Sequence, residues 1–489
     1  MPLFSLFISV VFLYVWFGDV RNAWRLKTSF WRSLPVMFAL KALVLIIVSV
    51  IAVNFLFSSA ILGRNETALL GFSTLLSAAI SYTWYTYLRW IDAYEPERRK
   101  FLFLAFFLSC VSILLVFPIT DYVHSFGFNL NGEPLNDFLY CFVGIGMVEE
   151  FVKLLPLLVI LFFTDQINEP LDYIIYAAMS ALGFAFIENI MYLNSTSLEA
   201  LTGRLLYASV AHMFFASCIA YPLAVNKLKT GKKFSFLWLI VGFLIAALAH
   251  GFYDFWLINE KVNFPILTTI FFLGSLHIFT MMKNNLINSS DFFNDVFKIN
   301  RNKLKYNLIW SILFVIYVGY FLFALLFGSA SANALLLNAA IFHVSTVLYI
   351  VITFSSMNFI KGYKAPLRFP LKVFLPKLDA GNDFTNTKLS IKFIALKPFA
   401  KAIEIGDEAK GILTSRVVLE GDINWYFLFD EEQERAFLIK PKDLDAGFSK
   451  NEIAKITAVE LVDTRNLSRL EYKKKDLLIA KHGVAKLIS

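Results

Sequence analysis

The chain is 489 residues long, and 58% of them are hydrophobic, including 53 phenylalanines. An ordinary soluble domain contains roughly 45–50% apolar residues, so the composition excludes a soluble globular enzyme and predicts a polytopic membrane protein. The formal net charge is +8, but it arises mainly from basic loops between apolar segments, and we expect no nucleic-acid partner.

Apolar segments long enough to cross a lipid bilayer recur along the chain, since a spanning helix needs about 20 apolar residues. The first segment has no basic residues before it and no small-residue cleavage site, so it is better interpreted as a span than as a signal peptide. Eleven spans are predicted, at residues 2–18, 34–62, 68–88, 101–120, 138–163, 171–193, 201–225, 234–258, 264–282, 307–329 and 332–360.

Lys and Arg cluster in alternate loops, after the first, third, seventh and ninth predicted spans. Because these residues accumulate on the cytoplasmic side, the pattern predicts an extracytoplasmic N-terminus and a cytoplasmic C-terminus. We therefore expect an all-α membrane protein with four spans in residues 1–137, four in residues 138–258 and three in residues 259–360.

Residues 361–489 differ from the rest of the chain, because they have mixed charge and short alternating runs. Runs of this kind, separated by Gly, Asp and Pro turns, are typical of β-strands. The clearest are residues 412–420, 424–429 and 436–440. They predict a small β-rich cytoplasmic domain with a docking or regulatory role.

The fifth predicted span carries three ionisable residues within an apolar stretch. Glu149 and Glu150 precede Lys153 by four and three residues, spacings at which side chains meet on a helix. An ionisable side chain at mid-bilayer depth costs at least roughly 2.5–3.5 kcal/mol, so the three together predict a water-filled cavity and chemistry. A structural ion pair is the alternative.

The next three spans contribute further polar residues. These are Glu188 and Asn189 on the sixth span, Arg204 and His212 on the seventh, and His250 and Asp254 on the eighth. His250 and Asp254 share a helix face, an arrangement common in general bases and metal ligands. The predicted orientation puts this polar layer between mid-depth and the outer face. His277 and His343 lack an acidic neighbour at helical spacing and are interpreted as packing residues.

These residues form four motifs that resemble those of the PrsW family of intramembrane proteases, a family similar to the CAAX-processing endopeptidases and bacteriocin-immunity-type membrane proteases. The motifs are Glu149-Glu-Phe-Val-Lys153, Phe184-Ala-Phe-Ile-Glu-Asn189, Arg204 with His212-Met-Phe-Phe215, and Ala249-His-Gly-Phe-Tyr-Asp254. Their order on four successive spans makes the resemblance specific, although it covers only residues 138–258.

The resemblance implies hydrolysis of a peptide bond by a water molecule activated at a Glu/His cluster. It implies a bacterial plasma-membrane location and a membrane-anchored substrate similar to an anti-sigma factor, cut near its extracytoplasmic end. Arg204 would bind substrate, and the catalytic residues would be Glu149, Glu150, Lys153, Glu188, Asn189, His212, His250 and Asp254.

Two versions of the chemistry remain open. In one, Zn²⁺ is held by His212 and His250 with Glu188 or a glutamate of the pair. In the other, no metal is present, Glu149 or Glu150 is the general base, and His212 and Asn189 stabilise the oxyanion. A proton- or ion-coupled transporter that uses the same residues as a relay, or an inactive membrane scaffold, are the alternative functions.

Overall fold

The computed structural model describes residues 34–293 and 301–357, residues 364 and 367, and the backbone of strands between residues 374 and 487. The predicted span at residues 2–18 lies outside the described residues. The described chain is mostly helical, as predicted. Its helices are α1 (Leu34–Leu56), α2 (Glu66–Ile91), α3 (Arg99–Ser125), α4 (Pro134–Tyr140), α5 (Val148–Phe163), α6 (Pro170–Ser195), α7 (Leu201–Thr230), α8 (Phe236–Ile258), α9 (Pro265–Asn288) and α10 (Arg301–Ser355).

Six of the described helices are long and apolar enough to cross a membrane, namely α3, α6, α7, α8, α9 and α10. Helix α10 is interrupted at Gly328, whose φ of 80° and ψ of 169° are not helical and favour glycine. The interruption falls at the end of the tenth predicted span. The count of eleven spans and the orientation of the chain stay predictions.

Two helices change their winding next to the predicted site. A π-helical segment, Cys141–Met147, joins α4 to α5 directly before Glu149 and Glu150. A second π-helical segment, Arg204–Ala208, lies within α7, four residues before His212. Insertions of this kind occur often at functional sites, because they change the direction in which the following side chains point.

The strands form two sheets. β1 (Phe374–Leu375) pairs with β2 (Leu389–Ser390). A six-stranded sheet has the order β7-β5-β4-β3-β6-β8, in which only β5 and β7 are parallel. Its strands are β3 (Glu408–Leu419), β4 (Ile423–Asp430), β5 (Arg435–Ile439), β6 (Ile453–Thr457), β7 (Leu478–Ile479) and β8 (Lys486–Leu487). That this region forms a β-rich cytoplasmic domain stays a prediction.

Glycine allows α8 to lie directly against the first π-helical segment. A Cβ atom added to Gly146 would lie 2.3 Å from the carbonyl oxygen of Ala247, and one added to Gly251 would lie 2.7 Å from the Cα atom of Phe142. Because the obstacles are backbone atoms, neither position accepts a larger residue without separating the two elements. This contact brings α8 and its His250 up to the start of α5.

We therefore expect Gly146→Ala to destabilise the protein by about 1–3 kcal/mol, the usual cost of overpacking. Gly71→Ala in α2 is the matched control, because a Cβ at Gly71 meets nothing within 4 Å. Thermal unfolding of the purified protein in lipid nanodiscs measures both. Equal stability of the two variants would contradict the close approach described above.

Candidate functional site

The site is organised around the buried ammonium group of Lys153. Its Nζ atom donates to Glu149 Oε2 at 3.2 Å, to Glu150 Oε1 at 2.8 Å and to His212 Nδ1 at 2.8 Å. It also lies 4.3 Å from the centre of the Phe184 ring. An ammonium group has three donors, so every one of them is used. The pairing of Lys153 with both glutamates confirms what their spacing in the sequence predicts.

The contact with Lys153 fixes the tautomer of His212. Because an ammonium group can only donate, His212 Nδ1 accepts, and the ring proton is on Nε2. Nε2 donates to Glu188 Oε2 at 2.7 Å, and the same oxygen accepts from the guanidinium of Arg204 at 2.5 Å. Arg204 also donates to Asn189 Oδ1 at 2.6 Å. One continuous network therefore links α5, α6 and α7.

His250 is held by α5 and by an aromatic ring. Its Nδ1 atom lies 2.9 Å from Glu150 Oε1, and its ring is stacked on Phe215 with the centroids 4.7 Å apart. Its Nε2 atom is 3.3 Å from Asp254 Oδ2 and 3.7 Å from Glu149 Oε2. A carboxylate behind one ring nitrogen orients the other, which is the arrangement seen in metal-ligating and proton-transferring histidines.

A cavity of about 820 Å³ opens beside this network. It is lined by six of the predicted site residues, Glu149, Glu188, Arg204, His212, His250 and Asp254. Glu150, Lys153 and Asn189 lie behind its wall and are at most 1% exposed. The adjacent glutamates therefore have different surroundings: Glu149 can reach a molecule in the cavity, whereas Glu150 supports His250 from behind.

The cavity lining includes further residues to which the sequence analysis assigned no role. Tyr207, Tyr253, Thr346 and Tyr349 line it, and so does His343, which was interpreted from the sequence as a packing residue. The Tyr207 hydroxyl lies 2.6 Å from Thr346 Oγ1 and 3.5 Å from His343 Nδ1. Since these partners are more than 130 positions apart in the chain, no local pattern could have found them.

Three side chains in the site lie close enough together to share a metal ion, which would replace one of the two hydrogen bonds of the His212 ring. Glu149, His212 and His250 each offer a ligand atom, and these atoms lie within 4.8 Å of one another. Two nitrogens and one carboxylate oxygen are the protein ligands of several catalytic zinc sites, in which a water molecule takes the fourth position. Glu188, which the sequence analysis offered as a zinc ligand, instead pairs with Arg204 and His212.

Comparisons with known proteins indicate the family to which the chain is related. A sequence model described as "PrsW family intramembrane metalloprotease" matches residues 97–282. Protease PrsW of Geobacillus kaustophilus (strain HTA426) is 31% identical over 192 residues, which are 39% of this chain and 80% of the relative. Protease PrsW of Clostridioides difficile (strain 630) is 36% identical over 33% of this chain and 67% of the relative. Protease PrsW of Bacillus subtilis (strain 168) is 30% identical over 37% of this chain and 79% of the relative. No solved structure matches the chain.

Apolar helices that enclose a polar cluster, together with bacterial protease relatives, define an integral bacterial membrane peptidase. The chain belongs to the PrsW family of intramembrane proteases. Family membership favours the peptidase interpretation over the transporter and scaffold alternatives. The family is described as one of metalloproteases, in agreement with the Glu/His/His group.

The buried ammonium group gives a test of the network. Lys153→Met leaves the carboxylate of Glu150 buried without its cation, so we expect a loss of about 3–5 kcal/mol in the free energy of unfolding. Adding Glu150→Gln to Lys153→Met should recover part of that loss, because the buried charge is removed. Both effects are measurable by chemical unfolding in lipid.

The matched control for this prediction is Lys229→Met, which changes an exposed lysine near the end of α7. It should change stability by at most about 0.5 kcal/mol. If Lys153→Met were as stable as Lys229→Met, the ammonium group would not hold the network together.

Proposed function

We propose that the protein hydrolyses a peptide bond of a membrane-anchored protein in the cavity beside Glu149, His212 and His250. The observation that carries the proposal is the convergence of these three side chains at one cavity wall, with their ligand atoms within 4.8 Å. Hydrolysis needs a group that activates water and a place where a peptide bond can reach it, and the cavity offers both.

Glu149 is the proposed general base. Its side chain faces the cavity, and Oε2 accepts from Lys153 and lies 3.7 Å from His250 Nε2. A carboxylate in this position can hold a water molecule and accept its proton. Glu150 acts on His250 from behind, where the carboxylate fixes the direction of the ring. The proposal thus assigns the role of base to Glu149 and a supporting role to Glu150, a choice that the sequence alone leaves open.

His212 and Arg204 are the proposed electrophilic groups. Both line the cavity. The N–H groups of Arg204 can stabilise negative charge as it develops on a carbonyl oxygen, and the Nε2–H of His212 can do so by exchanging its hydrogen bond to Glu188 for one to that oxygen. Asn189 is buried behind Arg204 and donates to Ser209 Oγ at 3.2 Å, so we assign it the role of positioning Arg204 rather than of contacting the oxyanion. The proton that Glu149 takes from the water is the one that is returned to the leaving amine. Asp254, which lies in the cavity beside His250, orients that histidine.

Zinc is the metal that the Glu149, His212 and His250 group would hold. When bound, it lowers the pKa of a coordinated water toward ~7 and polarises the scissile carbonyl. Glu149 would then be a ligand rather than the base. In both versions of the chemistry, Glu149 and His250 are the residues that the reaction depends on.

The proposed substrate is a single-span membrane protein similar to an anti-sigma factor, cut near its extracytoplasmic end. Support for this comes from the family resemblance and from the predicted orientation, which puts the polar layer between mid-depth and the outer face. The same orientation puts residues 361–489 in the cytoplasm, where they would recruit or regulate rather than cut.

The proposal is tested by incubating the full-length protein in lipid with a panel of single-span membrane proteins. We expect wild-type protein to cut at least one of them, and mass spectrometry to locate the bond in the outer half of its span. His250→Ala should lower the cleavage rate by about 10²-fold or more. His124→Ala, which changes a histidine that contacts Tyr140 outside the cavity, is the matched control and should cut normally.

A zinc chelator separates the two versions of the chemistry. Loss of cleavage that added Zn²⁺ restores would assign the metal version, whereas cleavage that the chelator leaves unchanged would assign the glutamate version. Equal rates for His250→Ala and wild type would contradict the proposed site, and a bond cut in the inner half would contradict the proposed face.

A further inference from the structure

A second group of carboxylates lies far from the catalytic cavity. Glu95 and Glu97 are in the connection between α2 and α3, and Asp172 is in the first turn of α6. Each of the three offers a ligand oxygen, and these oxygens lie within 4.8 Å of one another. Asp172 precedes Glu188 by sixteen positions on α6, a separation of about 24 Å along the helix axis.

The backbone and neighbouring polar groups hold this connection in a defined shape. The Asp92 carboxylate accepts from the backbone N–H of Glu97 at 2.7 Å, and the Arg89 guanidinium donates to the Glu97 carbonyl oxygen at 2.6 Å. The Tyr176 hydroxyl, one turn after Asp172 on α6, donates to Glu97 Oε2. The cluster of three carboxylates is therefore preformed and is not a chance contact of long side chains at the surface.

Two glutamate oxygens of this group, Glu95 Oε2 and Glu97 Oε1, are buried without a hydrogen-bond partner in the part of the chain that the structure describes. Glu97 is 4% exposed, and its Oε1 atom is buried without a hydrogen bond to any described residue. Within the same ranges, neither Glu95 nor Glu97 forms an ion pair. A buried carboxylate oxygen is costly unless a donor or a cation meets it.

We propose that Glu95, Glu97 and Asp172 bind a hard divalent cation of the Mg²⁺ or Ca²⁺ class. Both ions prefer oxygen ligands, and carboxylates are the side chains that bind them most often. The three ligands come from two separate parts of the chain. The bound ion ties the α2–α3 connection to the start of α6, the helix that carries Glu188 into the catalytic network.

The test is calorimetric titration of the full-length protein in nanodiscs, stripped of metal and then titrated with Mg²⁺ or with Ca²⁺ at constant ionic strength. We expect saturable binding of at least one ion, with half-saturation below about 1 mM, together with a rise in Tm. The two ions in separate titrations identify which one the site prefers. Glu97→Gln and Asp172→Asn should weaken the binding about tenfold or more.

Three further variants keep the test decisive. Glu95 is half-buried, so Glu95→Gln is expected to fold even if the buried positions do not tolerate change, and it should also weaken binding. Glu260→Gln removes an exposed carboxylate after α8 and should bind as wild type does. His250→Ala alters the catalytic cluster and should likewise leave this binding unchanged.

The absence of saturable binding by wild-type protein would overturn the proposal. Binding that survives both Glu95→Gln and Glu97→Gln would overturn it as well, because the ion would then lie elsewhere. Binding that is lost in His250→Ala but kept in Glu97→Gln would assign the ion to the catalytic cluster. None of these results would bear on whether the catalytic cavity cleaves peptides.

Discussion

The site depends on a single buried ammonium group. Lys153 meets Glu149, Glu150 and His212 at once, so it offsets the carboxylate charge and fixes the tautomer of the histidine. A lysine and two glutamates inside an apolar bundle are expensive to desolvate. Buried ion pairs seldom stabilise a fold more than apolar residues of similar volume would. The benefit of the arrangement is functional rather than structural, because it holds one carboxylate and two imidazoles in fixed directions at the wall of a cavity.

Backbone geometry delivers these side chains to one place. The π-helical segment before Glu149 changes the direction of the residues that follow, and the glycine contacts at Gly146 and Gly251 let α8 approach until His250 reaches Glu150. A second π-helical segment precedes His212 on α7. The three groups that face the cavity are therefore positioned by helix winding and helix contact, and each is supported from behind by another charged group.

Helical periodicity made part of this site predictable. The spacing of Glu149, Glu150 and Lys153 predicted their contact, and the spacing of His250 and Asp254 predicted a shared face, because both depend only on residues within one turn. Which glutamate faces the cavity was not predictable, since it depends on the π-helical winding and on the neighbouring helices. The Tyr207 and His343 contact joins distant parts of the chain, and Glu95 and Glu97 lie in a short connection between helices where no periodic pattern draws attention to them.

The central claim is that Glu149 acts on the reacting water, while Glu150 supports the site from behind. Its most direct test compares kcat for cleavage of a single-span substrate by Glu149→Gln and Glu150→Gln, alongside the unfolding free energy of each. The account predicts that Glu149→Gln lowers kcat by about 10²–10⁴-fold with little change in stability. Glu150→Gln should lower stability, because it removes a fully buried partner of Lys153 and His250. A Glu149→Gln protein that cleaves at the wild-type rate would contradict the account.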